Sequence, residues 1–263
     1  MTALHVRIEE KTFHLGQAGP AHLVLSGLHF DMRDREFVCI LGPSGGGKTT
    51  TLNIIGGLDR DFIGHVTFSD PKARERLAYV FQEPRLLPWR TLLENVTLPL
   101  GRTPDASAKA RRWLERVGLL DFAGHYPGQT SLGMQRRASL ARAFAVEPSL
   151  MLMDEPFVSL DEPTADDLRG LLLGLWQTEP VTVLFVTHDV REAIRLANRI
   201  LVLSAPPAHV AAEIPVPLTL AERADPQIVE GWRTRYFSRS ETSQRGNGVA
   251  ADGKYAPASG RAP

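Results

Sequence analysis

Apolar and polar residues alternate over residues 4–32, where Leu23 and Leu25, then Leu28, Phe30 and Met32, recur at every second position. That period of two predicts antiparallel strands, with the Gly- and Pro-containing stretch 16–20 as their turn. Residues 36–41 (EFVCIL) form a short continuous apolar run, the pattern of a buried strand. Residues 49–55 then carry Leu52 and Ile55 on one helical face before Gly56 and Gly57 stop the helix. A further strand pair is expected around residues 65–68 and 77–81. From residue 84 to about 142 the pattern becomes mostly helical. There Ala110, Trp113, Leu114 and Val117 share one face, Ser107 is the expected N-cap, and Gly118 closes the helix.

Strands and helices alternate again after residue 150. A strand at 150–153 precedes a helix opened by Pro163, whose Leu168, Leu171, Leu172, Leu175 and Trp176 make one stripe that reads as core. Strand 181–187, helix 190–198 and strand 200–203 follow. The order predicts an α/β fold: a mixed, largely parallel sheet with helices on both faces, preceded by N-terminal antiparallel strands and interrupted by a helical insertion. From residue 238 the chain is rich in Ser, Gly, Ala, Pro and Arg, a composition expected of a disordered tail. One folded domain over 1–237, with a helical subdomain at about 84–142, is therefore expected.

A chain of 263 residues is long enough for a full core. Its 30 basic and 30 acidic side chains cancel, so no global field favours nucleic acid or an anionic membrane. The one cysteine, Cys39, lies inside the apolar strand 36–41 and is expected to be an inert core residue. No disulfide framework is possible, in keeping with a reducing compartment. No apolar run is long enough to span a bilayer, so a membrane role is expected to come through a partner.

Between the strand 36–41 and the helix 49–55 lies Gly42-Pro43-Ser44-Gly45-Gly46-Gly47-Lys48-Thr49, which fits G-x-x-x-x-G-K-[ST]. Strand, glycine loop and helix in that order point successive backbone N–H groups and a helix N-terminus at one anion. Glycines at 45–47 let the backbone curl round a phosphate. Lys48 supplies a point charge to the β- and γ-phosphates, and the Thr49 hydroxyl is placed to ligate Mg²⁺. This motif predicts binding of a nucleoside triphosphate.

A second set of residues narrows the class. The apolar strand LMLM ends in Asp154 and Glu155. Asp154 is placed to hold the Mg²⁺ shell, and Glu155 to polarise a water for attack on the γ-phosphate. An acidic helix cap is the weaker reading, because Pro156 follows. His188 follows the strand 181–187, where parallel sheets present ligand-binding groups, and is placed to sense the γ-phosphate; a structural role is the alternative for a lone histidine. None of the 8 histidines forms an H-E-x-x-H metal pair. Gln82 ends the strand 77–81, its amide in reach of metal or attacking water. The loop after it, EPRLLPW, gathers Leu86, Leu87 and Trp89 among prolines. It is either packed under the helical insertion or a docking surface.

In this order the pieces resemble the ATPase subunit of ATP-binding cassette (ABC) transporters, from about residue 3 to residue 237. GPSGGGKTT, ending in Thr49 and Thr50, is similar to Walker A, and LMLMDEP to Walker B. Gln82 falls at the Q-loop, Ser159-Leu160-Asp161 at the D-loop and His188 at the switch histidine. Thr130-Ser131-Leu132-Gly133-Met134-Gln135-Arg136-Arg137 aligns with the L-S-G-G-Q signature and runs on into SLARAF. The resemblance implies a P-loop ATPase core that uses ATP and Mg²⁺. It implies that Phe13 stacks on adenine and that two copies pair head to tail, Ser131 and Gly133 of one contacting the γ-phosphate held by the other.

PSGGGKTT, FQEPRLLPWRTLLENV and DEPFVSLD resemble the ATPases of nitrate, sulfonate and taurine importers. Such subunits sit on the cytoplasmic face of the membrane against two permeases, contacted here through residues 82–89, and serve a solute-binding protein. Leu132 replaces the first signature glycine and Thr130 its leucine; strain or crowding at Leu132 would imply weak hydrolysis. Arg35 stands where a glycine turn usually precedes the glutamate. A soluble ABC ATPase acting on DNA or ribosomes would carry long coiled coils or two cassettes, and this sequence has neither.

Overall fold

The computed structural model describes residues 2–14 and 21–237, so the expected turn at 16–20 and the tail from 238 lie outside the described residues. Strands β1 (Thr2–His14), β2 (Ala21–Arg33) and β4 (Ile63–Phe68) form an antiparallel sheet in the order β2-β1-β4. The second sheet has the order β5-β6-β7-β3-β8-β9, built from β3 (Phe37–Leu41), β5 (Leu77–Val80), β6 (Leu150–Asp154), β7 (Thr182–Thr187), β8 (Arg199–Leu203) and β9 (Val210–Pro215). Pairing is parallel from β5 through β8, and β9 closes one edge antiparallel to β8.

The large sheet separates two apolar clusters. Along β3 the residues alternate between them: Phe37, Cys39 and Leu41 face one side, Val38 and Ile40 the other. The first side is covered by α3 (Ala106–Arg116), α4 (Leu132–Ala145), α5 (Glu162–Thr178), α6 (Val190–Leu196) and α8 (Pro226–Phe237). The second holds α1 (Lys48–Ile55) and the three-stranded sheet. A strand buried on both faces reads as a continuous apolar run, which is why β3, β6 and β7 are apolar except at the ends of β6 and β7.

Three expectations are corrected, and one segment carried none. Strands 65–68 and 77–81 are not a pair: β4 bonds to β1 in one sheet and β5 to β6 in the other. Leu23 is 36 % exposed, not on the face of Leu25. Leu25 pairs with Lys11 and Leu23 with Thr12, leaving Val24 as an extra residue that reverses the alternation. Helix α3 starts one residue after Asp105, so Ser107 lies inside it; the face of Ala110, Trp113, Leu114 and Val117 is buried as expected. The segment after residue 203 forms β9, α7 (Leu220–Ala224) and α8, none of them foreseen. Buried Arg223 fastens it by donating to the carbonyls of Leu218, Val216, Ile194 and Ala197, at the end of α6.

Candidate functional site

The glycine loop runs from the C-terminal end of β3 into α1. Gly45 and Gly47 have φ of 74° and 76°, in the left-handed region where a side chain is strained. Gly47 also lies against β2: a Cβ there would be 2.4 Å from Leu25 Cδ2. Gly46 N–H donates to Pro43 O (3.0 Å), which folds the loop on itself. The first turn of α1 carries no acidic residue, leaving its positive end for an anion.

Lys48 is 6 % exposed and donates to Gly42 O (3.0 Å) and Pro43 O (2.9 Å), with Glu155 Oε1 3.8 Å away. Burial lowers its pKa, opposed by the charges of Glu155 and Asp154. Thr49 Oγ1 donates to Asp154 Oδ1 at 3.1 Å. Burial is the main cause that raises the Asp154 carboxyl, the Thr49 hydrogen bond opposes it, and the Glu155 charge adds to it. Among the described residues no group of three or more His, Cys, Asp or Glu could cage a metal. A hydroxyl, one carboxylate and the Gln82 amide nearby instead suit a hard cation that draws its remaining ligands from phosphate and water.

Glu155 follows at φ 41°, in the left-handed region, its N–H donating to Val186 O at 3.0 Å. That twist turns its carboxylate toward His188, whose Nδ1–H donates to Glu155 Oε2 at 2.9 Å. The His188 side chain is 58 % exposed, open to an incoming ligand. Neighbouring Asp189 caps α6 by accepting from Arg191 N–H. A carboxylate, a histidine and an ammonium thus converge at the carboxyl ends of β3, β6 and β7, where open α/β sheets bind their ligands.

A cleft of about 650 Å³ opens beside this group, lined by Thr49, Gln82, Asp154, Ser159, Leu132 and Arg136 among others. One wall is a stack in which the Tyr79 and Phe81 rings lie 4.0 Å apart and the Arg85 guanidinium caps Phe81 at 3.7 Å. Phe13 is on β1, outside the residues that line this cleft, 43 % exposed with Lys11 Nζ 4.5 Å from its ring centre. Ser131 is exposed and caps α4, its Oγ accepting from Met134 N–H. Leu132 is the first residue of α4 and 38 % exposed, and it is not among the residues of positive φ. The glycine-only backbone feared at this position is therefore absent: the signature opens as an ordinary capped helix. Gly133 does need its small size, since a Cβ would meet Thr164 Cγ2 at 2.9 Å. Arg35 has φ 57°, keeping the turn that a glycine usually makes, with its N–H donating to Thr182 Oγ1.

The loop after Gln82 is held by residues that no motif announced. Asn95, fully buried on α2 (Leu92–Thr97), accepts from Leu87 N–H and donates to Leu87 O, Arg90 O and Thr91 O. Arg142 donates to Pro84 O and Arg85 O, both at 2.8 Å. Within this loop Leu86 packs on the core, while Trp89 is 71 % exposed.

The family model described as ABC transporter matches residues 25–158, which include the glycine loop, Gln82, the α4 cap and Asp154–Val158. The chain belongs to the ABC transporter family. It is 36 % identical over 240 residues to an aliphatic sulfonates import ATP-binding protein of Bacillus thuringiensis, covering 90 % of this chain and 96 % of that one. A relative of the same description from Pseudomonas syringae pv. tomato is 39 % identical over 230 residues, covering 86 % and 93 %. The fold agrees with a dimeric ATP-binding cassette, MJ0796, in a post-hydrolysis state bound to ADP and Pi: TM-score 0.70, 33 % identity, 82 % of this chain and all of that one. As an ABC ATP-binding subunit the chain places its nucleotide motifs on one sheet end, with α2–α4 alongside. No helix among the described residues is long and apolar enough to cross a membrane.

Proposed function

We propose that the chain hydrolyses ATP to drive a membrane importer for small organic anions of the sulfonate class. The observation that carries this is the convergence of Lys48, Asp154, Glu155 and His188 at one sheet end, with the Glu155–His188 hydrogen bond already formed. A decayed site would not keep its base oriented. Relatives named as aliphatic sulfonates import proteins, matched over most of both chains, support the cargo class.

In this reading Gly42, Pro43, Ser44, Gly45, Gly46, Gly47, Lys48, Thr49 and Thr50 cradle the phosphates, and Phe13 stacks on the adenine. Thr49, Asp154 and Gln82 would hold Mg²⁺, which would supply positive charge to the nucleotide phosphates. Glu155 takes a proton from the attacking water, and His188 holds both the Glu155 carboxylate and the γ-phosphate in line. Ser131 and Gly133 of a second copy complete each site. Residues 82–89 meet the permease on the cytoplasmic face, and a solute-binding protein delivers the cargo. Helices in the range 84–142 act as a subdomain within the ATPase domain 1–237.

Glu155→Gln tests the reading. Turnover should fall by about 10²–10⁴ while ATP and Mg²⁺ drive the variant into a stable dimer. A variant that stays monomeric at saturating ATP, by light scattering, would overturn the paired-site reading. Growth on a sulfonate as sole sulfur source, lost with the gene and restored by it, checks the cargo.

A further inference from the structure

Three segments meet at one guanidinium. Arg136, in the second turn of α4, is 4 % exposed. Its Nη1 donates to Phe81 O and its Nη2 to Val158 O, each at 3.3 Å. Phe81 immediately precedes Gln82. Val158 immediately precedes Ser159, which has φ 65° and opens the stretch 159–161. The third donor, Nε, is buried with no acceptor in reach among the described residues. Among the described residues no carboxylate lies within ion-pair distance of this arginine, although the Glu83 charge acts on it; two main-chain oxygens hold it where it is.

A buried cation that serves two long bonds and leaves a donor idle is poor use of an arginine for stability alone. It makes sense as a spacer. The guanidinium is a rigid planar fork, so the distance between its two Nη atoms fixes the distance between the carbonyls they hold. Arg136 and Leu132 also line the same cleft as Thr49, Gln82 and Asp154, one helical turn apart on α4.

We propose that Arg136 is a positioning residue that sets the spacing of the Gln82 loop from the 159–161 loop and ties both to the helix that starts at Ser131. Its idle Nε then takes an acceptor when the loops shift on ATP-driven closure. A change at the signature end of α4 would reach Gln82 through this side chain. The inference rests on the proposed reading in which Gln82 serves the chain's own ATP and Ser131 that of the partner.

The test compares native full-length protein with Arg136→Ala, Arg136→Gln and Arg136→Lys, measuring Mg·ATP turnover against ATP concentration and the thermal midpoint of each. Expected is a loss of kcat of about tenfold or more in Arg136→Ala and Arg136→Gln, with KM for ATP within about threefold of native. Arg136→Lys should not restore kcat, because a single ammonium keeps the charge but not the fork. The inference is overturned if Arg136→Lys restores native kcat, or if kcat stays within about twofold of native in Ala and Gln. It is overturned equally if KM and kcat worsen together in step with the thermal midpoint, the mark of a merely structural residue. Should Arg136→Ala not fold, Gln and Lys, closer in size, carry the same comparison. Native turnover is the reference and bears on the proposed function by itself; only the ratio of variant to native bears on Arg136.

Discussion

The phosphate loop and the signature end of α4, assigned to one reaction in the proposed function, are built in different ways. At the phosphate loop every charged group has a place before any ligand arrives. Lys48 rests on two carbonyls, Thr49 on Asp154, and Glu155 on His188. The loop backbone sits in left-handed turns pressed against β2. At the signature end Ser131 and Leu132 stand open to solvent, ordered by the Ser131 cap and by hydrogen bonds of Thr130 and Gln135 to Pro127 O just before them. In the proposed reading, groups assigned to chemistry are held against their own fold, and groups assigned to a second copy are left on the surface for that copy to cover.

The sharpest way to break this contrast is Gly47→Ala. Its Cβ would meet Leu25 Cδ2 at 2.4 Å with φ at 76°, so both steric overlap and backbone strain oppose it. The expected loss is about 3 kcal/mol, seen as a fall in thermal midpoint of about 6–12 °C without nucleotide. An unchanged midpoint would mean that the empty loop is not held in shape by β2. At the open end Leu132→Gly should do far less. It removes an exposed side chain from the first position of α4, with a helix-propensity cost of about 1 kcal/mol and turnover within about threefold of native. A rise in turnover of orders of magnitude, measured with the permease assembled, would instead mark Leu132 as a brake.

Asp154→Asn sharpens the comparison with the smallest effect on stability. Burial raises the Asp154 carboxyl above its ordinary value, so the folded state binds this proton more tightly than the unfolded chain. Its ionisation therefore opposes folding, and stability is lost as pH rises through the folded pKa. At neutral pH the amide should raise the thermal midpoint of the metal-free protein by up to about 3 °C. The same variant should lose the extra stabilisation that Mg²⁺ and ATP give the native protein. In native protein that metal-dependent gain should weaken as pH falls toward the raised pKa, because protons compete for the carboxylate. A lower midpoint in the amide variant at neutral pH would contradict the burial argument.

Much of the fold could be read along the chain where burial is two-sided or periodic. The apolar runs of β3, β6 and β7 and the stripe of α5 announce themselves because local composition follows directly from being covered. Pairing was harder, since β4 and β5 choose partners far away in sequence and their own residues carry no mark of the choice. The bulge at Val24 hid the exposure of Leu23 for the same reason. β9 (VAAEIP) is a half-exposed edge whose small residues give almost no alternation. In the site, Lys48, Asp154 and Glu155 were visible through motif order. Arg136, Arg142 and Asn95 were not, because they act on main-chain carbonyls, and any sequence has those. The left-handed twist at Glu155 likewise belongs to a residue type that gives no hint of it.

The resting place of Lys48 has a consequence for the end of each cycle. The ammonium that would grip a phosphate has two carbonyls waiting at 2.9–3.0 Å when the phosphate leaves. Departure of product therefore does not strand a bare charge in a buried loop. In the proposed cycle these two carbonyls compete with a phosphate for the ammonium, so part of the loop's grip on nucleotide is offset by contacts the lysine resumes on release.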